Sequence, residues 1–203
     1  MNDTDKASPG PGLRERKKDE VRTRIHDCVA EILSEGKIDV SHDLIAERTG
    51  ISRRTVYRYF PDKEALLEGM LDRIRELAGK NVIMPGNEAE LVSTLHDIYT
   101  GFDKIASIVT LVRSTPQGRA IRMAGNKRRV EAYRAATKDL VKDLPPEDQI
   151  LAVAVLQMLH TTPWLEMRDR WGLSGEQIAR AIGWAMRSLM KDLRGRNGKP
   201  LDE

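Results

Sequence analysis

The stretch "AERTGISRRTVYRYFPDKEAL", Ala46–Leu66, decides how this chain is read. Directly after a glycine it places Arg53, Arg54, Thr55, Tyr57, Arg58 and Tyr59 on one short helical segment, a set that a buried core would not accept. The apolar residues around them are spaced differently. Ile45, Ile51, Val56 and Phe60 fall at offsets that lock a second short helix onto a first. Ala46 is the small residue such a crossing needs, and Gly50, four positions later, supplies the positive φ of a tight turn. The spacing predicts a helix-turn-helix. With the apolar set turned inward, Arg53, Arg54, Tyr57 and Arg58 face out, where the second helix of such a unit enters a DNA major groove.

The flanking sequence fits that unit. Val21, Ile25, Cys28, Val29, Ile32 and Leu33 recur at three- and four-residue intervals and predict an amphipathic helix ending near Gly36. Segments 41–49 and 52–59 follow, then a longer helix from Asp62 that carries Leu66, Leu67, Met70, Leu71, Ile74 and Leu77. "MPGN" at 84–87 breaks the pattern. Residues 1–12, polar and rich in Ser, Pro and Gly, are expected to be a disordered tail. The boundaries expected are therefore tail 1–12, helix-turn-helix domain 13–80 and a second domain over 81–203.

Helical periodicity continues through the second part, and no strand alternation competes with it. Leu91 to Phe102 and Ile105 to Val112 are apolar at helical spacing. "STPQG" at 114–118 and "LPPED" at 144–148 are stops, predicting one helix near 117–142 and another from near 147. "TTPW" at 161–164 could bend that helix. Ser174, three residues before Gln177, has capping-box spacing at the start of the last helix. The fold class expected is all-α.

Composition sets limits on function. The chain has 203 residues, 40% of them hydrophobic, and a formal net charge of +3. That is enough to bury a core, and any nucleic-acid surface must come from where the charges sit. No run reaches the roughly 18 to 20 apolar residues of a membrane helix, and the N-terminus lacks a secretory apolar segment, so a cytoplasmic protein is expected. The single cysteine, Cys28, is read as a small buried side chain, with a redox role as the other reading. His26, His42, His96 and His160 are scattered without metal-ligand spacing. No phosphate loop or dinucleotide fingerprint occurs, so neither cofactor, metal nor catalysis is expected.

"LIAERTGISRRTVYRYFPDKEALL", after its amphipathic helix, resembles the TetR (tetracycline repressor) family of transcriptional regulators over about residues 20–75. "WLEMRDRWGLSGEQIARAIGWAMRSL" is similar to that family's last two helices. The resemblance implies double-stranded operator DNA as partner, a homodimer through the last two helices, a small-molecule effector and most often repression.

Roles follow residue by residue. Arg53 and Arg54 are candidates for reading guanine. Thr55 is a candidate for a phosphate or a thymine methyl, and Arg58 is a further outward cation of the same helix. Ser41 and Ser52 are expected N-caps, whose hydroxyls either cap only or also meet phosphate. Tyr57, Tyr59 and Lys63 resemble the family's backbone-contacting residues, with partial burial the other reading for Tyr59. "RERKK" at 14–18 is a solvated run or a further phosphate contact. "ILAVAVLQMLH" at 150–160 is apolar nearly all round, which suits a dimer face or a monomer core. Tyr99, Phe102, Met123, Met158, His160 and Trp164 are the candidate effector-binding residues, with plain core as the alternative. A helix-turn-helix that binds protein rather than DNA remains a rival, as does an all-helical enzyme at greater distance.

Overall fold

The computed structural model describes residues 13–37, 39–79 and 84–203, so the tail expected at 1–12 lies outside the described residues. Among them the chain is helical and contains no strand, as its periodicity implies. The first four helices are α1 (Leu13–Ser34), α2 (His42–Thr49), α3 (Arg53–Tyr59) and α4 (Lys63–Ala78). Then come α5 (Glu90–Ser93), α6 (Leu95–Lys104), α7 (Ala106–Ser114) and α8 (Pro116–Met123). The chain finishes with α9 (Asn126–Val141), α10 (Pro146–Thr161), α11 (Trp164–Trp171) and α12 (Gly175–Gly195).

Most stops fall where the sequence places them, and one differs. The single helix expected near 117–142 is two, α8 and α9, because Gly125 takes the left-handed conformation (φ 63°) that ends one helix and starts the next. Thr162 and Pro163 separate α10 from α11. Ser174 closes the expected capping box: its hydroxyl accepts from the Gln177 amide, and the Gln177 side chain accepts from the Ser174 amide.

Two apolar clusters organise these helices. The first unites Ile25, Val29, Ile32 and Leu33 of α1 with Ile45, Val56, Phe60, Leu66, Met70 and Ile74. It continues past residue 80 into Ile108, Val112 and Ile121 of α7 and α8. The head is thus packed onto the body. Cys28 lies in this cluster, buried, and burial pushes its thiol pKa up. The second cluster joins α6, α9, α10, α11 and α12 through Leu95, Ile98, Tyr99, Tyr133, Leu156, Trp164, Ile178 and Met186. At its junction with α4, Gly101 lies so close to the Ala78 carbonyl that any Cβ would collide with backbone. α6 and the end of α4 therefore touch without side chains between them.

Two sets of polar groups inside the body are paired across helices. Trp164 Nε1 donates to Asp103 Oδ1 at 2.8 Å, and the Gly175 amide donates to Asp103 Oδ2 at 2.6 Å, tying α6 to α11 and α12. His160 is fully buried. The Thr94 hydroxyl spends its proton on the Glu90 carbonyl at 2.6 Å, so it accepts from His160 Nε2 at 3.0 Å. Nδ1 is then the acceptor for the Tyr133 hydroxyl at 2.6 Å. The network needs a neutral imidazole.

Burial accordingly pushes the His160 pKa down to about 4. An unfolded chain binds this proton near pH 6.5 and the folded chain only near pH 4, so stability is full above pH 6.5 and drains as pH falls through that window. At full protonation the loss is about 3 kcal/mol, roughly 1.4 kcal/mol per pH unit. Urea unfolding at pH 7.5, 6 and 5 should show this slope in the natural chain and a flatter one in His160→Gln. Equal slopes would contradict it.

Candidate nucleic-acid interface

The interface is built by two short helices and what pins them. Ser41 caps α2 by accepting from the Leu44 amide at 3.2 Å, and Gly50 closes it in the left-handed conformation (φ 65°). Ser52 caps α3, accepting from the Thr55 amide at 3.2 Å with its hydroxyl 2.9 Å from that of Thr55. Ile45 and Val56 are fully buried and Phe60 nearly so. Burial of such side chains contributes about 1.5 to 3 kcal/mol each, enough to fix which face of α3 points away.

That face carries the expected residues. Ser52, Arg53, Arg54, Tyr57 and Arg58 are exposed, while Thr55 and Tyr59 are half-buried. Arg53 is ion-paired with Asp43 of α2, with both side chains largely exposed. Lys63 is exposed at the first turn of α4, where Asp62 caps by accepting from the Ala65 amide at 2.8 Å. Tyr59 is turned toward α1: its hydroxyl donates to the Lys18 carbonyl at 3.2 Å, and Arg58 lies over its ring. A cavity of about 510 Å³ between α1 and α3 is lined by Lys17, Lys18, Val21, Arg58 and Tyr59. The basic run of α1 is thereby continuous with the face of α3.

Other contacts hold this head rigid. Arg48 grips both oxygens of Glu35 at 2.6 and 2.7 Å, holding the Glu35 carboxyl well below its ordinary pKa, at about 2. Arg24 donates to the Thr49 carbonyl at the end of α2 at 2.6 Å. Arg73 of α4 pairs with Asp27 of α1.

His42 is the residue that sequence reasoning missed here. At the first position of α2, its ring lies parallel to that of Tyr57 with centroids 4.2 Å apart and an interplanar angle of 1°. Its Nε2–H donates to the Phe60 carbonyl at 2.7 Å. One side chain thus supports an exposed tyrosine of α3 and caps the end of that helix. The sequence signal is weak, since fifteen positions separate His42 from Tyr57 and no periodicity links them.

The six residues read as effector-binding are not gathered around one space. Tyr99, Phe102 and Trp164 are in edge-to-face contact, buried, and the Tyr99 hydroxyl donates to the Leu159 carbonyl at 2.6 Å. His160 lies in the network with Tyr133. Met123 and Met158 are about half exposed on the outside of α8 and α10. A cavity of about 780 Å³ lies elsewhere, between α1, α4 and α9, lined by residues including Arg22, His26, Asp72, Arg73, Glu76 and Arg128.

Comparison with known proteins bears on this geometry. Residues 30–70 match the model of bacterial regulatory proteins of the tetR family, so the segment that builds the head resembles that family's N-terminal domain. No curated protein matches the chain in sequence. Among solved structures, a tetR-family transcriptional regulator from Streptomyces coelicolor shares 20% identity over 93% of this chain and 94% of its own, with a TM-score of 0.53. A TetR variant from Acinetobacter baumannii AYE, solved in complex with minocycline, shares 18% identity over 86% of this chain and 97% of its own, with a TM-score of 0.48. The first of these likenesses extends the shared fold from the head to nearly the whole chain.

The His42 stack has a direct test. His42→Ala should lower the free energy of unfolding by about 1 to 3 kcal/mol, through the lost hydrogen bond and ring contact, and His42→Phe, which keeps the stack, by less. Urea titration of both variants measures it. An unchanged His42→Ala midpoint would show that the contact carries no stability.

Proposed function

We propose that this chain, whose head resembles the N-terminal domain of tetR-family regulators, is a DNA-binding transcriptional repressor that acts as a homodimer and releases its operator when a small molecule binds the body. The observation that carries the reading is the outward face of α3, where Arg53, Arg54, Tyr57 and Arg58 are exposed while Val56 and Phe60 are buried. In the proposed complex α3 enters the major groove. Arg53 and Arg54 read base edges, with Thr55 beside them. Tyr57, Tyr59 and Lys63 hold the backbone, and the hydroxyls of Ser41 and Ser52 lie at helix N-termini that favour phosphate. Arg54 has no ion pair of its own among the described residues, whereas Arg53 must share its guanidinium with Asp43.

Dimerisation is proposed through α10 and α12. Leu151, Val155 and Met158 form an exposed apolar stripe on α10, and Trp184 is 70% exposed on α12. Exposed apolar groups in that number are a liability on a monomer unless covered. A two-fold dimer would present two α3 helices about 34 to 36 Å apart, one turn of DNA, and so would take a pseudo-palindromic site. Trp184→Glu should shift the chain to monomer in sedimentation velocity, and an unchanged dimer would remove this face from the assembly.

The proposed switch runs through α4. Its first turn carries Lys63 beside the DNA face, and its last turn meets α6 at Ala78 and Gly101. An effector acts only by its different affinity for two placements of this helix. The part of the body around Tyr99, Phe102 and Trp164, opened by such a movement, is the proposed apolar side of the effector site.

The test of DNA reading is selection of duplexes from a random library, followed by fluorescence anisotropy on the selected site and on a scrambled one. Arg54→Ala should weaken the selected site by about 1 to 3 kcal/mol and the scrambled one far less. Tyr57→Phe and Lys63→Ala should weaken both alike. Failure to bind any duplex at low salt would instead favour a helix-turn-helix that binds protein.

A further inference from the structure

From Lys104 to Val130 the chain has seven basic residues and no Asp or Glu, although acids and bases nearly balance over its whole length at 31 against 34. The fold gathers part of this run at the junction of α7, α8, α9 and α10. Arg129 donates through Nη2 to the Arg122 and Ala124 carbonyls. Arg122 donates through Nη1 to the Val112 and Arg113 carbonyls, at 3.2 Å each. Arg113 donates through Nη2 to the Thr161 carbonyl and lies over the Phe102 ring at 5.6 Å. Two of these three half-buried side chains thus reach the backbone of the next arginine, 129 to 122 and 122 to 113.

The carbonyls belong to the ends of α8, α7 and α10, and helix ends offset only part of a positive charge. Each guanidinium has five N–H donors, and these bonds use one nitrogen of each. Arg129 Nε is buried and bonded to nothing. The contrast with the rest of the molecule is sharp. The half-buried Arg73, Arg75 and Arg196 each hold a carboxylate, from Asp27, Asp72 and Asp192. Among the described residues, Arg113, Arg122 and Arg129 have none. Burial first, and neighbouring arginines second, depress all three pKa values, Arg113 to about 10, which still leaves that side chain charged at neutral pH.

We propose that Arg113, Arg122 and Arg129 form a binding site for the acidic group, carboxylate or phosphate, of a small molecule. Planar guanidinium forks match both groups, and an anion placed among them supplies the countercharge that the fold omits. The site joins four helices, and one of them, α8, packs on α4 and sends Ile121 into the core of the head. Occupancy would draw the three cations together beneath α4. This effect on DNA rests on the proposed function, whereas binding of the anion does not.

The full chain is melted at pH 7 in sodium chloride, sodium phosphate and sodium acetate at matched ionic strength. The natural chain should gain several degrees in Tm in at least one of the two acid anions, with saturation, and Arg122→Gln/Arg129→Gln should gain much less. The phosphate and acetate arms tell the two acidic groups apart. Equal gains in the natural and double-variant chains mean a general salt effect and overturn the site. Should the double variant fail to fold, Arg129→Lys keeps the charge and loses the fork. A midpoint at least five-fold higher in anion concentration supports the site, and an unchanged midpoint overturns it. Anisotropy on bound DNA is read separately. A Tm gain confined to the natural chain, without DNA release, keeps the anion site and removes only its link to α4.

Discussion

The DNA-binding reading of this protein depends on which way α3 faces, and that is decided by burial beneath it. Ile45, Val56 and Phe60 pack against Ile25, Val29 and Leu66, and no other rotation of so short a helix would bury Val56 and keep Arg53, Arg54 and Arg58 in water. Seven residues of helix have little stability of their own. The Ser52 cap, the left-handed Gly50 and the His42 bond to the Phe60 carbonyl therefore hold what the apolar contacts select. The polar face is a consequence of the core.

The same logic connects the head to the body. Ile108, Val112 and Ile121 enter the head's cluster, so α7 and α8 cannot move without disturbing α1 and α4. At the other end of α4, Gly101 brings two backbones into contact, and such a contact resists small adjustments that a flexible side chain would absorb. Between these two points α4 runs from Lys63 to Ala78, and in the proposed switch it is the lever. The arginine cluster of α7 to α9 lies on the body side of it, with a charge imbalance that a ligand could relieve.

Much of this was legible in the sequence because short-range rules governed it. The all-helical class, the turn at Gly50, the caps at Ser41, Ser52 and Ser174, and the outward set on α3 follow from spacing within a few residues. The break at Gly125 was missed because Ala124 and Gly125 carry no proline and sit inside an otherwise helical pattern. What the sequence could not reveal is long-range. His42 meets Tyr57 across the turn, His160 finds Thr94 and Tyr133 from two other helices, and Asp103 is claimed by Trp164 and Gly175. Periodicity marks Tyr99, Phe102 and Trp164 as inward, yet it cannot distinguish a residue that packs against its neighbours from one that lines a space.

The central claim is that the face of α3 meets DNA. Hydrogen exchange read by mass spectrometry on the full chain, free and saturated with a selected duplex, tests it most directly. The account predicts slowed exchange confined chiefly to residues 41–64 and the basic start of α1, with α10 and α12 unchanged. A tightly bound duplex that leaves 41–64 unprotected and slows exchange elsewhere would contradict it.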